Sequence, residues 1–160
     1  MKKNGFTLLE LLVTILIIGI VVGISTLPAL TLVAKNKLNN AATSVKQMVQ
    51  EAQSYATTKS TNINLIFSDS SISIQTEDGT DLNTYNFEDN IKFDSTNSGF
   101  DNNTLIFNYK GSPVDASGDS NSFSADDLKF TLCYHSSNND TCKYSKTLYV
   151  APITGTVKEE

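Results

Sequence analysis

Arginine is absent from this 160-residue chain, and histidine occurs once, at His135. Positive charge rests on 12 lysines against 17 acidic residues, giving a formal net charge of −5. Binding to DNA wants clustered Lys or Arg, so this balance disfavours a nucleic-acid partner and a general polyanion-binding surface. A lone histidine leaves no nucleophile–base–acid constellation to be read around it, which points away from an enzyme. Cysteine is nearly missing too: Cys133 and Cys142 are the two, and with His135 they supply only three candidate metal ligands. No second Cys-x-x-Cys or histidine pair accompanies them, so the expectation is no metal and no cofactor.

Charge is scarcest near the start. Met1-Lys2-Lys3-Asn4-Gly5 precedes a nearly continuous apolar run from Phe6 to Leu27, interrupted by one carboxylate, Glu10. A run of about 22 residues is long enough for a helix to cross a hydrocarbon core of about 30 Å. A charged side chain inside such a run costs roughly 2.5–3.5 kcal/mol on insertion scales, so it calls for a partner or a function. A secretory signal has its small-residue cleavage site after the apolar region. Here Gly5 lies before it, and no clear Ala-x-Ala follows. An ordinary single-span anchor accounts for the length but for neither Glu10 nor the Gly5–Phe6 junction.

The segment Lys2-Lys3-Asn4-Gly5-Phe6-Thr7-Leu8-Leu9-Glu10 resembles the class III (prepilin) signal of type IV pilins and pseudopilins. The resemblance implies cleavage between Gly5 and Phe6 by a prepilin peptidase, then N-methylation of Phe6. It also implies that Glu10 neutralises the Phe6 amine of a neighbouring subunit, since an unpaired charge in an apolar filament core is strongly unfavourable. The implied partners are other pilins or pseudopilins in a helical filament, the peptidase, and an inner-membrane assembly platform. The implied localisation is the cytoplasmic (inner) membrane, single-pass with an extracytoplasmic C-terminal domain, and then a pilus or pseudopilus. Loss of Lys2 and Lys3 with the leader would take the net charge from −5 to −7.

Beyond the apolar run, Leu38, Ala41, Ala42, Val45, Met48, Val49, Ala52, Tyr55 and Ala56 recur at three-to-four-residue spacing, predicting an amphipathic helix. Pro28 should bend the long helix, and Gly19 and Gly23 weaken the turns before it. Resemblance to pilins adds the possibility that this stretch melts on assembly. From Thr61 the period becomes two: Ile63, Leu65, Phe67; Ile72, Ile74; Ile91, Phe93; Phe107, Tyr109; Phe130, Leu132, Tyr134; Leu148, Val150. The expected fold is α+β and pilin-like, one long N-terminal helix (a transmembrane half and an amphipathic half) packed on a C-terminal antiparallel sheet. Its expected parts are a leader at 1–5, a transmembrane and assembly helix at 6–28, an amphipathic helix at 29–58 and an extracytoplasmic β domain at 59–160.

An even cysteine count on an exported face favours a disulfide between Cys133 and Cys142, stapling strands at about 128–134 and 144–150. Asp115, Asp119, Asp126 and Asp127 could gather round calcium, but their spacing fails the EF-hand pattern and a solvated loop is the simpler reading. Asn102-Asn103-Thr104 and Asn139-Asp140-Thr141 match the glycosylation sequon, a pattern that chance supplies often. Two short segments, Leu105-Ile106-Phe107-Asn108-Tyr109-Lys110-Gly111-Ser112-Pro113 and Ile153-Thr154-Gly155-Thr156-Val157-Lys158, resemble parts of GspH/FimT-type minor pseudopilins. The second departs from the family pattern, with Thr156 in place of a basic residue. The implied function is a structural minor pilin or pseudopilin of a type IV pilus or type II secretion pseudopilus. The alternative is a binding module, a minor pilin for DNA uptake (competence) or adhesion.

Overall fold

The computed structural model describes residues 7–99, 101–115, 117–119, 123, 128–136, 139–152 and 154–159, with backbone alone at 24–30, 97, 101, 136 and 139–140. Helix α1 (Leu8–Lys59) begins at Thr7, whose hydroxyl accepts a hydrogen bond from the Glu10 N–H at 3.3 Å. Thr-x-x-Glu is the capping-box pattern, and it starts the helix directly after the Gly5–Phe6 junction. The helix ends at Ser60 (φ 52°), beyond which the Thr61 N–H returns to the Ala56 carbonyl at 3.3 Å, a Schellman closure. Its helical backbone continues through Pro28.

The chain divides into Met1–Lys35 and Asn36–Glu160. In the first unit the described apolar side chains lie exposed, from Leu8 (82%) to Val22 (59%). Among the described residues, no helix is long and apolar enough to cross a membrane. The described apolar stretch, Leu8–Gly23, contains Glu10 and has about 16 residues, ~24 Å of helix, against the roughly 20 residues and ~30 Å that a span needs. This overturns the transmembrane reading of 6–28 and the single-pass inner-membrane localisation that rested on it.

The second unit carries the core. Here α1 buries Leu38, Ala41, Ala42, Val45, Val49, Ala52 and Ala56 on one face, while Asn39, Asn40, Gln47 and Gln50 are exposed. That stripe is the one the three-to-four spacing predicts, and its small alanines admit close approach. The strands form two antiparallel sheets where one was expected. The first, in the order β3-β2-β1-β5-β6, comprises β1 (Ile63–Ser68), β2 (Ser71–Thr76), β3 (Asp81–Asn86), β5 (Thr104–Phe107) and β6 (Pro113–Val114). The second, in the order β4-β7-β8-β9, comprises β4 (Ile91–Asp94), β7 (Lys129–Ser136), β8 (Asn139–Val150) and β9 (Val157–Glu159).

Both sheets turn apolar residues into one cluster with the helix face, including Ile63, Leu65, Ile74 and Phe107 from the first and Phe130, Leu132 and Leu148 from the second. Phe67 of the first sheet joins them, its ring centroid 5.0 Å from Phe93 and 5.1 Å from Phe130. Two details differ from the alternation in sequence. Tyr109 is exposed rather than a strand residue, because the Asn108 side chain accepts from the N–H groups of Lys110 (2.9 Å) and Ser112 (3.1 Å) and turns the chain after Phe107. Strand β3 has no buried residue and so gave no alternation to read.

Candidate assembly site

Two regions bear on function. The first is the start of α1. Gly5 and Phe6 lie outside the described residues. Glu10 is exposed among exposed apolar neighbours, one turn into the helix. A carboxylate in the first turn is favoured by the unpaired N–H groups and positive dipole end of the helix. Thr14 returns its hydroxyl to the carbonyls of Glu10 (3.0 Å) and Leu11 (2.7 Å), so its polar group is spent within the helix. Among the described residues, a methyl group added at Gly19 or Gly23 would meet nothing within 4 Å, so none of them demands glycine at either position.

The second region lies in the β-bearing unit, where the two short segments singled out from the sequence come together on one helix side chain. Gln53 of α1 donates from Nε2 to the carbonyl of Gly111 at 3.0 Å and to the carbonyl of Thr154 at 2.9 Å. Gly155, buried at φ 63°, lies so close that an added Cβ would overlap Gln53 Nε2 and stand 3.1 Å from Phe107 Cε1. Gly111, at φ 77°, faces Thr57 Cγ2 in the same way at 3.1 Å. Backbone conformation favours glycine at both positions, and at Gly155 space requires it as well, whereas at Gly111 Thr57 would have to give by only a few tenths of an ångström. Ile153 lies outside the described residues.

A charged cluster ties the end of the chain to the helix. Glu159 of β9 bridges Lys46 of α1 and Lys146 of β8, the latter at 2.8 Å, and Lys146 also donates to Asn39 Oδ1 at 2.8 Å. Hydrogen bonds from Lys146 and then Lys46 hold the Glu159 carboxyl down to about 2. Lys37 pairs with Glu88 at 2.9 Å, which raises the lysine above its ordinary value. None of this was read from the sequence, because the partners are 13 to 113 residues apart and no local pattern joins them.

Cys133 and Cys142 form a disulfide with Cα atoms 5.3 Å apart. His135 is half-buried beside them, its backbone N–H donating to the Asn90 carbonyl at 2.7 Å. The Asp115 carboxylate accepts from the Ser117 N–H and hydroxyl and from the Asp119 N–H, all within 3 Å, so it organises its own turn. Asp126 and Asp127 lie outside the described residues. Among the described residues no group of three or more His, Cys, Asp or Glu is placed to hold a metal ion. Asn102 is exposed in a left-handed turn (φ 54°).

Three comparisons bear on this arrangement. Residues 1–26 match the prokaryotic N-terminal methylation motif. No curated protein sequence matches the chain significantly. Among solved structures, the type IV minor pilin FimU of Pseudomonas aeruginosa aligns at 18% identity and a TM-score of 0.53, covering 79% of this chain and 90% of that one. The fold is pilin-like. A second crystal form of FimU gives 17% identity and a TM-score of 0.50 over 77% of this chain and 92% of that one. The minor pseudopilin EpsH, from the Type 2 Secretion System of Vibrio cholerae, gives 11% and 0.50 over 78% and 96%. At these identities the pilin-like chain shares a fold with them, and their activities are their own.

Proposed function

We propose that this chain is a structural, non-catalytic subunit of a pilin or pseudopilin filament, cleaved between Gly5 and Phe6 by a prepilin peptidase and N-methylated on Phe6. The observation that carries the proposal is the coincidence of two independent signals. A methylation motif occupies residues 1–26, and a pilin-like fold follows it in the same chain. The bare apolar surface of the first unit supports it further, since exposed patches of this kind mark sites of association. Copies of related helices would cover that surface, and Glu10 would then meet the Phe6 amine of a neighbour within it. Assembly machinery would supply the work.

Within this reading the GspH/FimT-type minor subunit is the better branch. The segments around Gly111 and Gly155 support it by meeting on Gln53, as does likeness to a minor pilin and a minor pseudopilin. Capture of DNA is disfavoured, because Lys37, Lys46 and Lys146 are already engaged by carboxylates. The test is incorporation. Filaments sheared from cells expressing the chain should contain it, and Glu10→Val should be processed normally yet be largely missing from them. Equal recovery of both forms refutes the role given to Glu10.

A further inference from the structure

The second sheet has two unlike faces. Phe93, Phe130, Leu132, Leu148 and Val150 are buried on one of them, so the residues that alternate with them point outward. On that outer face Asp94 stands opposite Thr131, and Lys129 stands opposite Tyr149. Tyr149 stands in turn opposite Lys158 of β9, so one row across three strands reads Lys129, Tyr149, Lys158. Neighbouring strands lie about 4.8 Å apart, so the two lysines leave the sheet about 10 Å apart with the tyrosine between them.

Asp94, Lys129, Thr131, Thr147 and Tyr149 line an open cleft of about 330 Å³ on this face. Ligand sites range over ~300–1,000 Å³, and this one stands at the small end. Its floor is polar. Thr131 is the one buried polar residue among those described, and its hydroxyl meets that of Thr147 at 3.1 Å. Two hydroxyls hold two donors and their mutual bond uses one, so an O–H remains for a ligand. The Asp94 carboxylate is held in place by the Thr96 N–H (3.0 Å) and hydroxyl (2.6 Å). Lys37, Lys46 and Lys146 are engaged by carboxylates, whereas Lys129 and Lys158 have no ion-pair partner among the described residues.

These groups select a ligand. Two ammonium groups left unpaired in a chain of net charge −5 call for an anion. An acidic peptide fits poorly, because an extended peptide needs backbone partners, and those of β7 and β8 are spent in the ladder beneath this face. It would also bring carboxylates against Asp94. A sugar suits the remaining groups: its ring offers an apolar C–H face to the tyrosine, and its hydroxyls donate to a carboxylate and accept from a hydroxyl.

We propose that the outer face of the β4-β7-β8-β9 sheet binds a carboxylate-bearing saccharide. Its carboxylate meets the ammonium groups of Lys129 and Lys158, its ring stacks on Tyr149, and its hydroxyls bond to Asp94 and the Thr131–Thr147 pair. The site does not rest on the assembly reading, whose groups lie at the start of α1.

The test is titration of the isotopically labelled full chain, in detergent micelles, with trigalacturonate, followed by backbone NMR. Saturable shifts at Lys129, Thr131, Thr147 and Tyr149 are expected at about millimolar ligand. Lys129→Gln combined with Lys158→Gln should weaken binding about tenfold or more, as the loss of charge-assisted hydrogen bonds does. Tyr149→Thr, with the rest of the spectrum kept, should weaken it as well. Lys59→Gln combined with Lys110→Gln, at exposed lysines elsewhere in the chain, should leave it unchanged. The absence of saturable shifts overturns the proposal, as does equal binding by the double lysine variant or by Tyr149→Thr. Equal affinity for tri-glutamate overturns it too, since the site would then take anions at large. So does equal affinity for neutral trigalactose, which lacks the carboxylate.

Discussion

Gly155→Ala tests the junction at Gln53 with a single methyl group. Two costs arise, and they separate. A left-handed backbone conformation (φ 63°) costs an alanine about 1–2 kcal/mol relative to glycine. The new Cβ would also overlap Gln53 Nε2, displacing an amide that donates to the carbonyls of Gly111 and Thr154. At about 1 kcal/mol per hydrogen bond, their loss adds ~2 kcal/mol, for a total of about 3–4 kcal/mol. Gln53→Ala alone should cost about 2 kcal/mol, and in that background Gly155→Ala should add only the backbone share. The double-mutant cycle thus predicts a coupling of about 2 kcal/mol, well above the ~0.5 kcal/mol within which independent sites add. Urea unfolding followed by tyrosine fluorescence measures all four proteins. If Gly155→Ala costs the same with and without Gln53, the amide does not hold the two turns together and the reasoning fails.

Glu159 should make stability depend on pH in acid. Its carboxyl is held near 2 in the folded chain against an ordinary value of 4.5, so its contribution is complete above about 4.5 and is lost as pH falls through about 2. Glu159→Gln should flatten that part of the urea-midpoint profile. High salt should weaken the effect, since the cluster is partly exposed; a variant with an unchanged acid slope counts against the bridge. Replacing both cysteines by serine should cost about 2–3 kcal/mol of unfolding free energy through loop entropy, and a loss under ~0.5 kcal/mol would mean that the staple is idle. Leu132→Ala, in the core between the sheet and the helix, should cost about 2–5 kcal/mol, and a near-neutral result would contradict that packing.

Periodicity made much of the fold legible. The helix stripe from Leu38 to Ala56 and the alternating pairs at Ile63–Phe67 and Phe130–Leu132 are buried as their spacing requires, because burial on one face is what creates such spacing. The division into two sheets was not legible. Strand partners such as Ile63↔Phe107 or Ile91↔Tyr134 are set by long-range topology, on which the local pattern is silent. Strand β3 escaped because its two apolar residues, Leu82 and Tyr85, stand three apart and break the period of two, and Tyr109 misled because an Asx turn ends β5 two residues earlier. The length of the apolar run suggested a span that the described helix does not bear out. At the candidate site, Glu10 stood out through its chemistry alone. Thr7 could have been found from the same motif, since Thr-x-x-Glu announces a helix start. Gln53, Lys46, Lys146 and Glu159 carry no such local signal, and their meeting follows only from the fold.

The most direct test of the central claim is the intact mass and N-terminal sequence of the chain isolated with and without a prepilin peptidase. A chain beginning at N-methylated Phe6 in the presence of the peptidase, and at Met1 in its absence, is the predicted result. A chain that retains Met1 in both cases, or is cut beyond the apolar run, would contradict it.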